Sequence, residues 1–182
     1  NIGKPFLDFT QIAKQDILVL EISSFQLFYS NVLNENKYLP DVSVYLNMTD
    51  DHLDWHSSLQ EYRDAKAKIF RDVPGKTLVM NYDDPVVREL AAGKSNLRFF
   101  STELELNPGA CYRDEALYLD GQKLINVNEL NLVGKHNYSN ILAAALACTA
   151  MGIARELIIE KLKAFKPVAH RLEYVATIDG HK

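Results

Sequence analysis

The chain lacks most of what would mark a nucleic-acid partner, an oxidising compartment or a membrane. It carries 20 Lys and Arg against 24 Asp and Glu, a formal net charge of −4. Its basic residues form no run, so no nucleic-acid partner is expected. There are only two cysteines, Cys111 and Cys148, far apart in sequence. They point to reduced thiols in a cytoplasmic protein rather than a disulfide framework. No apolar stretch reaches the roughly 18 residues of a spanning helix. The longest, 141–150, is interrupted by Thr149 and belongs to an Ala-rich helix. No Gly-x-x-x-x-Gly-Lys-Ser/Thr occurs, and no Gly-x-Gly-x-x-Gly follows a strand, which argues against a nicotinamide oxidoreductase. Internal repeats and low-complexity segments are absent. The first residues do not resemble a signal peptide. There is no initiator methionine, and the last residues break off in a strand-like run, 172–178. Both ends read as cut, and a longer protein is expected.

What is present, 47% hydrophobic residues over 182 positions, is enough for one sizeable core. Ile17-Leu18-Val19-Leu20-Glu21-Ile22 is a continuous apolar run closed by a carboxylate, the pattern of a strand buried on both faces of a parallel sheet. Val42–Asn47, Thr77–Asn81 and Leu97–Ser101 read the same way. Helical patterns lie between them. One opens at Ser58 with Glu61 at capping-box spacing and runs to Arg71; another starts at Asp84-Pro85 and ends near Gly93. The alternation predicts an α/β fold, a mostly parallel sheet flanked by helices. From 108 to 131 the rhythm changes to short strands with a hairpin signal at Asp120-Gly121, predicting a small antiparallel subsheet. Helices are expected over 137–151 and 156–165, and Lys166-Pro167 reads as a break. The predicted organisation is one domain over 1–166, with 167–182 a linker into a further domain.

Two features carry chemistry. Asn47-Met48-Thr49-Asp50-Asp51-His52-Leu53-Asp54 leaves a predicted strand and crowds a histidine with three acids. In open α/β sheets ligands bind beyond the carboxyl ends of the strands, so Glu21 and His52 are expected to converge there. A carboxylate ending an apolar run needs a partner, and a divalent cation would serve. Equally, Asp50, Asp51 and Asp54 could simply cap a turn or helix. The second feature is Lys66, on one stripe with Leu59, Tyr62, Ile69 and Phe70, whereas Lys68 falls off it and is expected to face water. Lys66 either snorkels or is a desolvated amine with a lowered pKa, able to react with carbon dioxide. The resulting carbamate would be an oxygen ligand suited to magnesium. Spacing alone leaves both open. Asn137 and Asn140, one turn apart at a helix start, either cap it or offer the donor–acceptor pair that an adenine edge requires.

Glu21-Ile22-Ser23-Ser24-Phe25-Gln26-Leu27, Asn47-x-Thr49-x-Asp51-His52-Leu53-Asp54, Tyr62-Arg63-x-Ala65-Lys66 and Gly134-x-His136-Asn137-x-x-Asn140 occur in this order. Together they resemble the Mur ligases of bacterial cell-wall synthesis, over nearly the whole chain, and the first of them resembles the D-glutamate-adding branch. The resemblance implies a P-loop-NTPase-like central domain and an ATP-dependent amide ligase. Such a ligase joins D-glutamate to UDP-N-acetylmuramoyl-L-alanine through an acyl phosphate, acting as a monomer. It implies Glu21, His52 and a carbamylated Lys66 as catalytic magnesium ligands, and His136, Asn137, Asn140 and Arg171 at ATP. Asn1, Ser23 and Gln26 would line the UDP-sugar peptide site. In the family the phosphate loop lies upstream of Asn1 and the D-glutamate-binding domain beyond Lys182, so the chain alone is expected to be inactive. Trp55 departs from the basic residue or tyrosine usual at its position. The alternatives are a folylpolyglutamate synthetase-like ligase, which Ser23-Ser24-Phe25-Gln26 opposes, and a non-catalytic nucleotide- or partner-binding module.

Overall fold

A computed structural model describes residues 12–30, 40–49, 55–70 and 72–167. They fall into two compact units, 12–30 with 55–70 and 40–49 with 72–167.

The larger unit holds a six-stranded sheet in chain order: β1 (Val42–Tyr45), β2 (Thr77–Asn81), β3 (Leu97–Ser101), β4 (Ala110–Arg113), β5 (Ala116–Leu119) and β6 (Gln122–Asn126). β1 to β4 run parallel, and β4 to β6 are antiparallel. β2 is buried on both faces, with Leu78, Val79 and Met80 at most 1% exposed, which is why its sequence is continuously apolar. The predicted antiparallel portion is present, but it continues the main sheet. β4 begins level with the end of β3 and shares only Phe100↔Ala110 and Ser101↔Cys111 with it. A parallel neighbour placed so high needs no returning crossover helix. Asp114 and Glu115 both have positive φ and close the β4–β5 hairpin, and Asp120-Gly121 closes β5–β6 as the sequence signalled.

Three helices complete the unit: α3 (Pro85–Ala91), α4 (Lys135–Ala150) and α5 (Arg155–Ala164). α4 buries Ile141, Leu142, Ala145 and Leu146 against Val79, Phe100, Leu117 and Ile125. Each large side chain so sealed contributes roughly 1.5–3 kcal/mol. After Ala150 the Gly152 and Ile153 amides turn back onto the Thr149 and Cys148 carbonyls, stopping the helix. Cys111 is buried, Cys148 half-buried, and both are free thiols. Among the described residues no helix is long and apolar enough to cross a membrane.

The smaller unit packs α1 (Ser24–Tyr29) on α2 (Leu59–Ala67). α2 is shorter than predicted; beyond Ala67 the Ile69 and Phe70 amides bond to the Lys66 and Ala67 carbonyls in tighter i→i+3 turns. Residues 16–22 form no strand, and Val19 is 89% exposed. Apolarity there shows only that the segment suits burial. A strand also needs a neighbour to take its amides and carbonyls, and no pairing involves this run among the described residues. The strand expected over 172–178 lies outside them.

Candidate functional site

In the smaller unit, Glu21 is exposed and leads into the N-terminus of α1. Ser23 and Gln26 form a reciprocal capping box there. The Gln26 amide donates to Ser23 Oγ at 3.3 Å, and the Ser23 amide donates to Gln26 Oε1 at 2.8 Å. Two residues that the resemblance assigns to substrate thus satisfy each other's backbone. Glu21 and Lys66 lie on the two segments that α1 and α2 bring together, while His52, Asn1 and Arg171 lie outside the described residues.

Lys66 closes the last turn of α2, where a cation complements the helix dipole. It is half-buried, with its Nζ 5.0 Å from the centroid of the Tyr62 ring, a side chain only 3% exposed. Lys68 does not simply face water. It donates to the Phe28 carbonyl at 2.8 Å and ties the end of α2 to α1. Ser58 caps α2 by accepting from the Glu61 amide at 3.1 Å, but only half of the predicted box forms. Glu61 turns instead to Ser57, accepting from its amide at 3.0 Å and its hydroxyl at 2.8 Å. Those two bonds, chiefly the backbone one, hold its carboxyl below the usual carboxylate range. An open cleft of about 370 Å³ beside this turn is lined by Phe28, Ser58, Glu61, Asp64 and Lys68. Ala65 of the Tyr62–Lys66 motif also lines it, but the resemblance gives none of the lining residues a role at substrate, ATP or metal.

Magnesium prefers hard oxygen ligands. The Glu21 carboxylate offers them, whereas Lys66 does so only as a carbamate. Among the described residues no three His, Cys, Asp or Glu side chains are gathered to hold a metal.

In the larger unit, α4 begins at Gly134, whose φ of +95° suits glycine; a Cβ there would also come within 3.1 Å of the His136 ring. His136 and Asn140 are exposed and Asn137 is half-buried, all within the first two turns. Asn137 donates one amide hydrogen to the Val133 carbonyl at 2.8 Å, so part of its capacity goes to the segment leading into the helix. Lys135 reaches Glu103, just past β3, with contacts of 2.8 and 3.0 Å. The helix start is therefore moored beside the carboxyl end of the sheet.

Sequence reading missed the latch at that end. Asn81 donates to the Leu46 carbonyl at 2.7 Å and accepts from the Asp83 amide at 2.9 Å. Asp83 accepts from the Thr102 amide at 2.7 Å and from the Ser101 hydroxyl. Asp84 accepts from the Met48 amide at 2.6 Å while capping α3 through the Val86 and Val87 amides. Asn81, Asp83 and Asp84 thus knit the ends of β1, β2 and β3. Their signal is two acids just beyond the strand end, Asp83 and Asp84, of which the second also starts a helix.

Comparison with known proteins adds to this. The Mur ligase middle domain family matches residues 2–148. UDP-N-acetylmuramoylalanine--D-glutamate ligases of Bacillus cytotoxicus and Bacillus cereus are each 40% identical to the chain over 100% of its length, and the chain spans 40% of theirs. Among solved structures, a UDP-N-acetylmuramoyl-L-alanyl-D-glutamate--2,6-diaminopimelate ligase superposes with a TM-score of 0.67 at 21% identity, covering 85% of this chain and 34% of that one. A pseudomurein peptide ligase type C from Methanothermus fervidus gives 0.59 at 24% identity, covering 75% and 36%. At such identities the likeness is one of fold.

Proposed function

The chain belongs to the Mur ligase family, and on that premise we propose that it is the central part of a ligase adding D-glutamate to UDP-N-acetylmuramoyl-L-alanine. The observation that carries this reading is the 40% identity, across the whole chain, to ligases of that name. The run Glu21-Ile22-Ser23-Ser24-Phe25-Gln26-Leu27 supports the choice of amino acid.

In the proposed reaction the γ-phosphoryl group of ATP passes to the substrate carboxylate, giving an acyl phosphate and ADP. The D-glutamate amine then attacks the acyl carbon, phosphate leaves, and the amide forms. Chemistry of this kind rests on positioning and charge neutralisation rather than on a protein nucleophile. His136, Asn137 and Asn140 hold the adenosine, with the second amide hydrogen and the oxygen of Asn137 turned to the base. Arg171 approaches the phosphates. Asn1, Ser23 and Gln26 line the UDP-sugar peptide, Gln26 using the amide nitrogen that its capping bond leaves over. Glu21, His52 and a carbamylated Lys66 would hold Mg²⁺, which when bound neutralises phosphate charge. Residues 1–166 form the central domain and 167–182 lead into the domain that binds D-glutamate. The enzyme works in the cytoplasm as a monomer.

The test is made on the full-length protein carrying this chain, supplied with ATP, Mg²⁺ and UDP-N-acetylmuramoyl-L-alanine. ADP release that depends on D-glutamate, and is not supported by L-glutamate, is the expected result. Release with a folate and L-glutamate would assign a folylpolyglutamate synthetase-like ligase. Nucleotide binding without turnover would leave a non-catalytic module.

A further inference from the structure

The smaller unit buries a polar row that the chemistry above does not use. His56 is 3% exposed and Ser24 2%. The imidazole Nε2 lies 3.1 Å from Ser24 Oγ, and Nδ1 lies 3.4 Å from Glu61 Oε1. The second contact is long, an electrostatic contact rather than a formed hydrogen bond. Aromatic rings surround the imidazole. Phe25 is stacked on it at 5.7 Å, Trp55 and Phe28 meet it edge-on at 4.5 and 6.0 Å, and Tyr62 leans on it at 5.3 Å. A phenylalanine would fill that space without the cost of desolvating two ring nitrogens. The nitrogens are therefore what the position uses, and what they join is specific. Ser24 is the first residue of α1, next to the Ser23 cap and three residues beyond Glu21. Glu61 sits on α2, five residues before Lys66, and is itself anchored by Ser57.

We propose that the Ser24–His56–Glu61 row sets the segment carrying Glu21 and Ser23 against the helix carrying Lys66, with His56 as the positioning residue. The catalytic part of this inference rests on the ligase reading. The structural part does not. A positioning role predicts that losing the nitrogens displaces Glu21 from Lys66 while the aromatic packing survives.

The experiment uses the full-length protein with His56→Phe, which keeps the ring, and Ser24→Ala, which removes the partner. Both are expected to melt within a few degrees of wild type. The turnover number in His56→Phe should fall about 100-fold, the scale of a small misplacement of reacting groups. The Mg²⁺ concentration for half-maximal rate should rise about ten-fold, while the KM for ATP moves less than about two-fold. His56→Gln, whose amide reaches the Nε2 position, should recover about ten-fold of the lost rate. Amide exchange over residues 23–27 should quicken about ten-fold in His56→Phe and Ser24→Ala, with α4 unchanged. Wild-type turnover and Mg²⁺ requirement in both variants would overturn the proposal, as would failure of the Gln rescue together with unaltered exchange. If His56→Phe does not fold, Ser24→Ala decides. If the wild-type protein makes no amide bond, the ligase reading fails, and the exchange measurement decides the positioning alone.

Discussion

Lys66 shows how far one residue can be read from its spacing. Its place on the stripe with Tyr62 and Phe70 put the amine on the inner side of α2, and it is half-buried there above the Tyr62 ring. Spacing could not tell a snorkelling ammonium from a reactive amine, because both occupy the same stripe and differ only in solvation. The difference is testable. Lys66→Ala in the full-length protein should leave the thermal midpoint nearly unchanged, since a half-buried charge contributes little net stability. Amide synthesis should fall by about 1000-fold or more, as expected when a group acting in the transition state is removed. Retained turnover in a coupled ADP assay would rule out the carbamate role. Ser23 and Gln26 teach the converse. The resemblance puts them at the substrate, and within the chain they bond to each other. The i, i+3 spacing of a capping box is legible in the sequence. His56 carried no readable signal, because a histidine between Trp55 and Ser57 looks like a surface loop until its burial is seen.

At the scale of elements, β2, β3 and α3 to α5 fall within a residue or two of their predicted bounds, because each has local punctuation: apolar runs, the Asp84-Pro85 start, the Gly152 stop. α1 went unpredicted, since six residues are too few for a helical period to emerge. The junction of β3 and β4 was also invisible, as it depends on backbone proximity. Gly109, at φ +139°, lies where a Cβ would come 2.7 Å from the Phe99 carbonyl oxygen. Neither atom belongs to a side chain that could swing away. Gly109→Ala should therefore destabilise the larger unit by about 1–3 kcal/mol, the cost of a forced backbone strain. Urea unfolding would measure it, and a variant as stable as wild type would show that the strand end yields freely.

For the whole molecule, one part of the acid response follows from a single carboxylate. Glu129, in the turn after β6, is held by the Lys163 ammonium of α5 and by the Asn126 amides, which bring its pKa from 4.5 down to about 2. A carboxylate lowered on folding stabilises above its unfolded pKa and loses that contribution as the pH falls through its folded one. Its stabilisation should thus be complete above about 4.5 and vanish on the way to about 2. Glu129→Gln should start from a lower urea midpoint at neutral pH and lose less over that acid window; equal slopes for the two proteins would remove α5 anchoring from the explanation. Sequence alone determined the α/β class, the order of most strands and helices, and the family, because periodicity, turn residues and ordered motifs are local properties of the chain. Tertiary structure decided what no local pattern encodes. It made the antiparallel strands an extension of the main sheet, built the Asn81–Asp83–Asp84 latch across three strand ends, and sealed His56 between α1 and α2. Each of these joins groups far apart in sequence, and a partner across space is specified only once the chain has packed.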